Sequence, residues 1–242
     1  MSPRLAMALA AAVALAPAAV RAESPISGSF ELQAGPYRPN IDSEFAAGTN
    51  TAYDKAFGSS RPWAFSVHAA KALTRTFGTV AVGLGVGFFN ASGHGRFSST
   101  AGVNLAGTSA TDPTYLRMIP TRLTLTWRAD LVAERFGIPL VPFLRASLER
   151  YNWWVVGPTG STSKIGATNG YSYGGGLALS LDFFDPMLAR ELDADSGINH
   201  TYLVAEVRKT KVDDRVPFFG SKSSWDMSDK QASFTFGLLF IF

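Results

Sequence analysis

The stretch Ser233–Phe242, SFTFGLLFIF, puts Phe234, Phe236, Leu238, Phe240 and Phe242 on every second residue. A period of two marks a strand with one apolar face. Here that face runs to the last residue of the sequence, where chains ordinarily fray into water. The strand either closes a water-soluble core or faces a solvent that is not water.

Its companions favour the second choice. Thr79–Phe89, TVAVGLGVGFF, sets Val80, Val82, Leu84, Val86 and Phe88 against Ala81, Gly83, Gly85 and Gly87. Small residues opposite branched and aromatic ones suit a curved wall with a crowded inside. Asn169–Phe183 sets Tyr171, Tyr173, Leu177, Leu179, Leu181 and Phe183 against Ser172, Gly174, Gly176, Ala178, Ser180 and Asp182. Tyr115–Leu131 opposes Ile119, Leu123, Leu125, Trp127 and Leu131 to Arg122, Thr124, Thr126, Arg128 and Asp130. Trp63–Leu73 has Trp63, Phe65, Val67 and Leu73 on one side and Ser66 and His68 on the other. Ser29–Pro36, Leu140–Val155 and Asn199–Lys209 are less regular candidates. With the closing strand the total is eight.

The polar faces would gather Arg122, Arg128, Asp130, Arg145, Glu149, Asp182, Glu206 and Arg208 on one side of the sheet. Charges stripped of water are costly unless paired, and four arginines with four carboxylates can pair. These residues are expected to form an ionic network filling the barrel interior, with the oily face turned to lipid. A sheet in lipid has no water for an open edge, so the last strand must pair with the first. The expected fold is all-β: an eight-stranded antiparallel up-and-down transmembrane β-barrel.

The links alternate in length. Residues 37–62, 90–114, 156–168 and 210–229 read as long, and 74–78 and 132–139 as short turns. Long loops outside and tight turns in the periplasm are the asymmetry of outer-membrane barrels. Within 184–198, Asp185, Pro186 and Gly197 supply a cap, a first position and a stop, so Met187–Ala194 should be a short periplasmic helix. Trp63, Trp127, Tyr151, Trp153, Trp154, Tyr171 and Tyr173 fall toward strand ends and suggest headgroup-level girdles.

Met1–Ala22 pairs Arg4 with an Ala/Leu/Val-rich run and ends on Val20 and Ala22, the features of a cleaved secretory signal. Residues 23–242 would then be the barrel domain. Losing Arg4 and Arg21 lowers the formal charge from +3 to +1, which argues against nucleic acid. Cysteine is absent, so an exported domain must find stability elsewhere.

Catalysis and transport are both weighed. His68, His94 and His200 lie in separate segments without metal-ligand spacing. His94 stands near Ser92, Ser98 and Ser99 in what reads as an external loop. That neighbourhood is the basis for an alternative reading as a lipid-modifying enzyme, an acyl hydrolase or transferase, although no G-x-S-x-G is present. His68 should face the interior network. No catalytic residue, cofactor or metal is expected. A narrow transport channel is the other alternative, but eight strands leave no aqueous lumen when long side chains fill it. Loop residues Tyr37, Tyr53, Phe57, Arg61, Asp112, Phe218, Phe219, Lys222 and Trp225 suit surface recognition of an unspecified external ligand, and equally suit loops folded on themselves.

The terminal Phe242 with its alternating predecessors resembles the C-terminal insertion signal of bacterial outer-membrane barrels. That resemblance implies the barrel-assembly machinery as a partner in biogenesis; periplasmic chaperones, outer-membrane lipid as surroundings and a monomeric product are expected with it. Further, FELQAGPYRPNIDSEF (30–45), RFGIPLVPFLRASL (135–148) and LDFFDPMLARELDADSGINHTYLVAE (181–206) are similar to segments of an uncharacterised family of outer-membrane β-barrel proteins in myxobacteria and related Gram-negative bacteria. The resemblance implies fold and location, and no activity. The expected role is structural or in surface recognition through the outer loops.

Overall fold

The computed structural model describes residues 26–44, 52–96, 109–157, 160–215 and 225–242. The candidate signal segment, and Ser98, Ser99, Phe218, Phe219 and Lys222, lie outside them.

Eight strands run in chain order: β1 Gly28–Pro36, β2 Trp63–Thr74, β3 Thr79–Arg96, β4 Ser109–Arg128, β5 Leu140–Val156, β6 Thr162–Ser180, β7 His200–Lys211 and β8 Ser233–Ile241. Each pairs antiparallel with its sequence neighbours, and β8 returns to β1 through Ser29↔Ile241 to Ala34↔Phe236. The sheet is a closed barrel with no free seam. Gly28 N–H donates to the Phe242 carbonyl and Phe242 N–H to the Gly28 carbonyl, so the start of β1 and the end of β8 meet at one end, called here the near end.

Alternation decides which residues face where. Phe65 (58 % exposed), Leu84 (68 %), Leu125, Leu144, Leu203 and Phe236 stand on the outer wall. Glu31, His68, Thr124, Arg145, Glu206 and Arg208 are buried in the lumen. The oily surface continues onto the near-end links, where Phe77, Phe136, Phe184 and Met187 are all exposed.

Strand lengths are unequal. β1 and β8 have 9 residues each, whereas β3 to β6 have 18, 20, 17 and 19. At about 3.3 Å per residue and a tilt near 40°, a twenty-residue strand rises roughly 50 Å, about twice the apolar band of a membrane barrel. The β3–β6 side therefore stands up as a four-stranded fin above the far end. For residues 90–96, 109–114 and 162–168 this corrects the reading of 90–114 and 156–168 as long loops; residues 97–108 and 158–159 lie outside the described ones. β3 and β4 stay paired from Phe89↔Met118 to His94↔Pro113 and, past a register shift, at Arg96↔Ser109, and β5 and β6 stay paired out to Val156↔Thr162. His94 is thus on a strand rather than in a loop.

Among the described residues three short helices decorate the links. The α1 helix, Ala52–Phe57, follows a 3-10 turn at Ile41–Glu44 and lies against β3. An added Cβ on Gly93 would sit 1.9 Å from the Ala56 carbonyl oxygen, so only glycine permits that approach. The α2 helix, Asp130–Phe136, occupies what was expected to be a bare turn at 132–139, and Gly137 ends it at φ 64°. The near-end helix read from Asp185, Pro186 and Gly197 is α3, Pro186–Ser196, slightly longer than expected. Leu188 N–H donates to Asp185 Oδ1 at 3.0 Å, and Gly197, at φ 70°, sends its N–H to Asp193 O at 3.0 Å.

Candidate functional site: a three-tier lumen and its far-end cap

At the near end, Val141, Phe143, Ala178, Tyr202, Val204, Leu239 and Ile241 fill the barrel with apolar side chains. Above them lies an ionic tier. Arg145 from β5 reaches Glu31 Oε2 on β1 at 2.6 Å and Glu206 Oε2 on β7 at 2.8 Å. Its Nε donates to Thr126 Oγ1 at 3.2 Å. Arg208 donates through Nε to Glu206 Oε1 at 2.8 Å and through Nη2 to Gln33 Oε1 at 2.9 Å. Gln33 Nε2 bridges Glu31 and Glu206, at 2.8 Å to each. His68 Nε2 bonds Thr124 Oγ1. Charge-assisted bonds from two planar guanidinium groups thus cross-link strands on opposite sides of the barrel.

The eight residues read as an interior network separate into groups. Arg145, Glu206 and Arg208 form this tier. Glu149 lies in the lumen with the Ser172 hydroxyl donating to Oε1. Arg122 projects beside it and makes no hydrogen bond among the described residues; it borders a cavity of about 50 Å³ shared with Arg208, Gln33 and Tyr151. Arg128 is buried near the near-end rim, with its Nε 3.6 Å from Asp130 Oδ2. Asp130 and Asp182 are not on strands. β4 stops at Arg128, so Asp130 opens α2 and accepts the Thr79 N–H at 3.0 Å. β6 stops at Ser180, so Asp182 lies on the rim, 2.8 Å from His200 Nδ1, and accepts the Thr201 N–H. Glu31 and Gln33 were missed. Their signal was the alternation with Phe30 and Leu32, carried on a strand too short to stand out.

The far end is capped. Tyr37, Ile41, Tyr53, Phe89, Leu116, Met118, Tyr151, Trp153, Val212 and Met227 make one buried cluster, with Phe57, Val155 and Trp225 packed on it. Trp153 (0 % exposed) stacks on Trp225 with centroids 4.4 Å apart and planes 6° from parallel. Lys164 Nζ sits 4.4 Å from the Trp225 ring centre, and Trp153 Nε1 donates to Thr168 at 3.1 Å. Tyr37 donates to the Met227 carbonyl and meets Phe89 edge-on at 5.0 Å. Arg61 clamps Asp229 through both carboxylate oxygens at 2.9 and 2.8 Å. Burial pushes the Tyr53 hydroxyl well up. It also pushes the Asp229 carboxyl up, against the opposing pull of Ser233 and Arg61.

Two expectations change here. Tyr151 and Trp153 are not girdle residues; they share the inward parity of Arg145, Ser147 and Glu149. The described aromatics Tyr37, Tyr53, Phe57 and Trp225 pack inward, so the folded-back alternative holds for them. Asp112 is exposed on β4.

His94 is exposed on β3, His68 is in the lumen and His200 is on the near-end rim, so the three remain apart. Among the described residues no group of His, Asp and Glu could hold a metal. Of the closing aromatics, Phe234, Phe236, Leu238 and Phe242 are exposed on the outside, and Phe240 is partly covered.

No family model matches the chain, and no curated protein matches it, so the family resemblance rests on the three quoted segments alone. Two solved structures are similar in outline. The N-terminal β-barrel domain of Pseudomonas aeruginosa OprF matches at 14 % identity, covering 90 % of this chain and 99 % of that one, with a TM-score of 0.41. Ail, the attachment invasion locus protein of Yersinia pestis, solved with the heparin analogue sucrose octasulfate, matches at 9 % identity over 90 % and 97 %, with a TM-score of 0.39. The barrel is established by its own closed register, and neither likeness bears on chemistry.

Proposed function

We propose that this is an outer-membrane β-barrel without a pore, whose role is structural or in surface recognition by the fin and cap. The observation that carries it is the inverted polarity of the wall: aromatic and aliphatic side chains cover the outside while paired charges fill the lumen. In water the outside would expose far more contiguous apolar surface than a soluble monomer tolerates. In a bilayer that same surface is solvated by acyl chains, and strand closure pairs the ladders all the way around the belt below the fin.

The near end faces the periplasm and the fin faces outward, which sets α2 and α3 on the inner side. Residues 1–22 direct export, and Phe234, Phe236, Leu238, Phe240 and Phe242 present the strand to the barrel-assembly machinery after chaperone delivery. The fin and the cap are the parts that an external partner would meet. The chain acts as a monomer without cofactor.

The test is refolding of residues 23–242 into lipid vesicles. A folded band that shifts on boiling and resists protease while vesicle-bound is expected. A compact, monodisperse protein in detergent-free buffer would overturn the proposal.

A further inference from the structure

We infer that the outer wall of β5–β7 holds the phosphate-bearing headgroup of an anionic lipid in the far-side leaflet. This rests on the membrane reading above. Along the outward face of β7, Leu203, Ala205 and Val207 give way to Lys209 and Lys211, both exposed. The neighbouring strand changes at the same height: Tyr173 stands opposite Lys209 and Tyr171 opposite Lys211. Both tyrosines are exposed. One row farther out on β5, exposed Arg150 donates to Asn169 Oδ1 at 3.1 Å, which leaves other guanidinium N–H groups free to point along the wall.

Three cations and two phenols therefore occupy one patch. Neighbouring strands are about 4.8 Å apart and alternate residues about 6.6 Å, so these long side chains can converge on one phosphate or span two. Lys209 is near enough to Asp229 to pull on its carboxyl, but no short contact neutralises either lysine. Among the described residues, neither Lys209 nor Lys211 has an ion-pair partner. The nearby acids are engaged: Asp229 by Arg61 and Ser233, Asp213 by Arg215, and Asp214 by Asn169.

What lies beside the patch identifies the occupant. Toward the near end the wall continues as Leu148, Leu144, Leu177, Val207 and Leu203, all exposed and apolar. A cationic head position joined to an oily track fits an amphiphile with net negative phosphate, whereas a free anion would leave the track unused. Lysines at such a level extend their stems along hydrocarbon and place their charge among headgroups.

Native mass spectrometry of the refolded full-length barrel domain tests this, with lipid A, phosphatidylcholine and inorganic phosphate as probes. Wild type should retain lipid A in preference to phosphatidylcholine. The K209Q/K211Q variant should weaken retention about thirtyfold, taking each lost charge at the usual strength of a surface cation near anionic lipid. K71Q, which removes an exposed lysine on β2 near the other end, should leave it unchanged. Equal retention by K209Q/K211Q, or displacement of lipid A by inorganic phosphate at matched charge, overturns the inference. The boiling-induced gel shift of each variant reports insertion separately, so failure of the membrane reading and failure of the lipid site are distinguishable.

Discussion

At the scale of single residues, Arg145 is the cross-brace of the lumen. Among the described arginines only Arg145 bonds both Glu31 and Glu206, so Arg145→Ala leaves buried Glu31 without its arginine and Glu206 with Arg208 alone. Urea unfolding in vesicles should show a loss of about 3–5 kcal/mol. Arg122→Ala should cost clearly less, because Arg122 makes no hydrogen bond among the described residues and faces a cavity. Equal losses would mean that charge count, not bonding geometry, sets the stability. Asp229 offers a second test, in the far-end cap. Burial raises its carboxyl pKa in the folded protein. The native state therefore binds more protons than the unfolded chain between the ordinary carboxylate range and the raised value, and the Asp229 contribution falls as pH rises through that window. Relative to wild type, Asp229→Asn should gain stability as pH climbs through that window. A relative loss would mean that the Arg61 clamp outweighs burial. The sequence revealed residue orientation wherever parity was followed: Arg145, Ser147 and Glu149 already implied that Tyr151 and Trp153 point inward. Aromatic type suggested a girdle instead, and the parity was the better guide.

At the scale of elements, the sequence showed strands in the apolar belt and concealed them above it. Asn90 to Thr114 contains Gly, Ser and Asn in the composition of a loop, yet β3 and β4 remain paired through its described parts because each continues the other's ladder. Pairing with a partner strand supplies what composition does not. The α2 helix was hidden for a related reason: seven residues between two strands carry too few turns for a periodic signal. α3 was legible because its stop and start rely on local chemistry at Asp185, Pro186 and Gly197. The contact between α1 and β3 is testable at Gly93, where any side chain meets the Ala56 carbonyl. Gly93→Val should expel α1 and free the helix backbone around the already exposed Lys55, raising the rate of tryptic cleavage there about tenfold or more. The gel shift of the barrel should persist, since β3 still pairs with β4 on its other side. Unchanged cleavage would show that α1 is not seated on the strand.

For the whole molecule, eight alternating strands and a charged inner face were enough to give a closed barrel, because closure and inverted polarity are two consequences of the same pleat. The tiering was not legible, since it depends on how β1, β5 and β7 align across the lumen and alignment between distant strands leaves no mark in any one of them. Tiering decides permeability. An ion entering from the far end meets Tyr37, Tyr151 and Trp153, then the Glu31–Arg145–Glu206–Arg208 lattice, then Phe143, Tyr202 and Val204. The cavity between the first two layers, about 50 Å³, has room for only one or two waters. Conduction would need a continuous wet path, and each layer interrupts it independently. In planar bilayers the protein should therefore show no steady open level. The double variant Tyr151→Ala/Trp153→Ala should also stay closed, because the ionic lattice is intact beneath the opened cap. Arg145→Ala should stay closed for the converse reason, the cap being untouched. A persistent conductance in the wild type would contradict the filled lumen. One that appears only in the cap variant would show that the aromatic layer is the sole barrier and the arginine lattice is permeable.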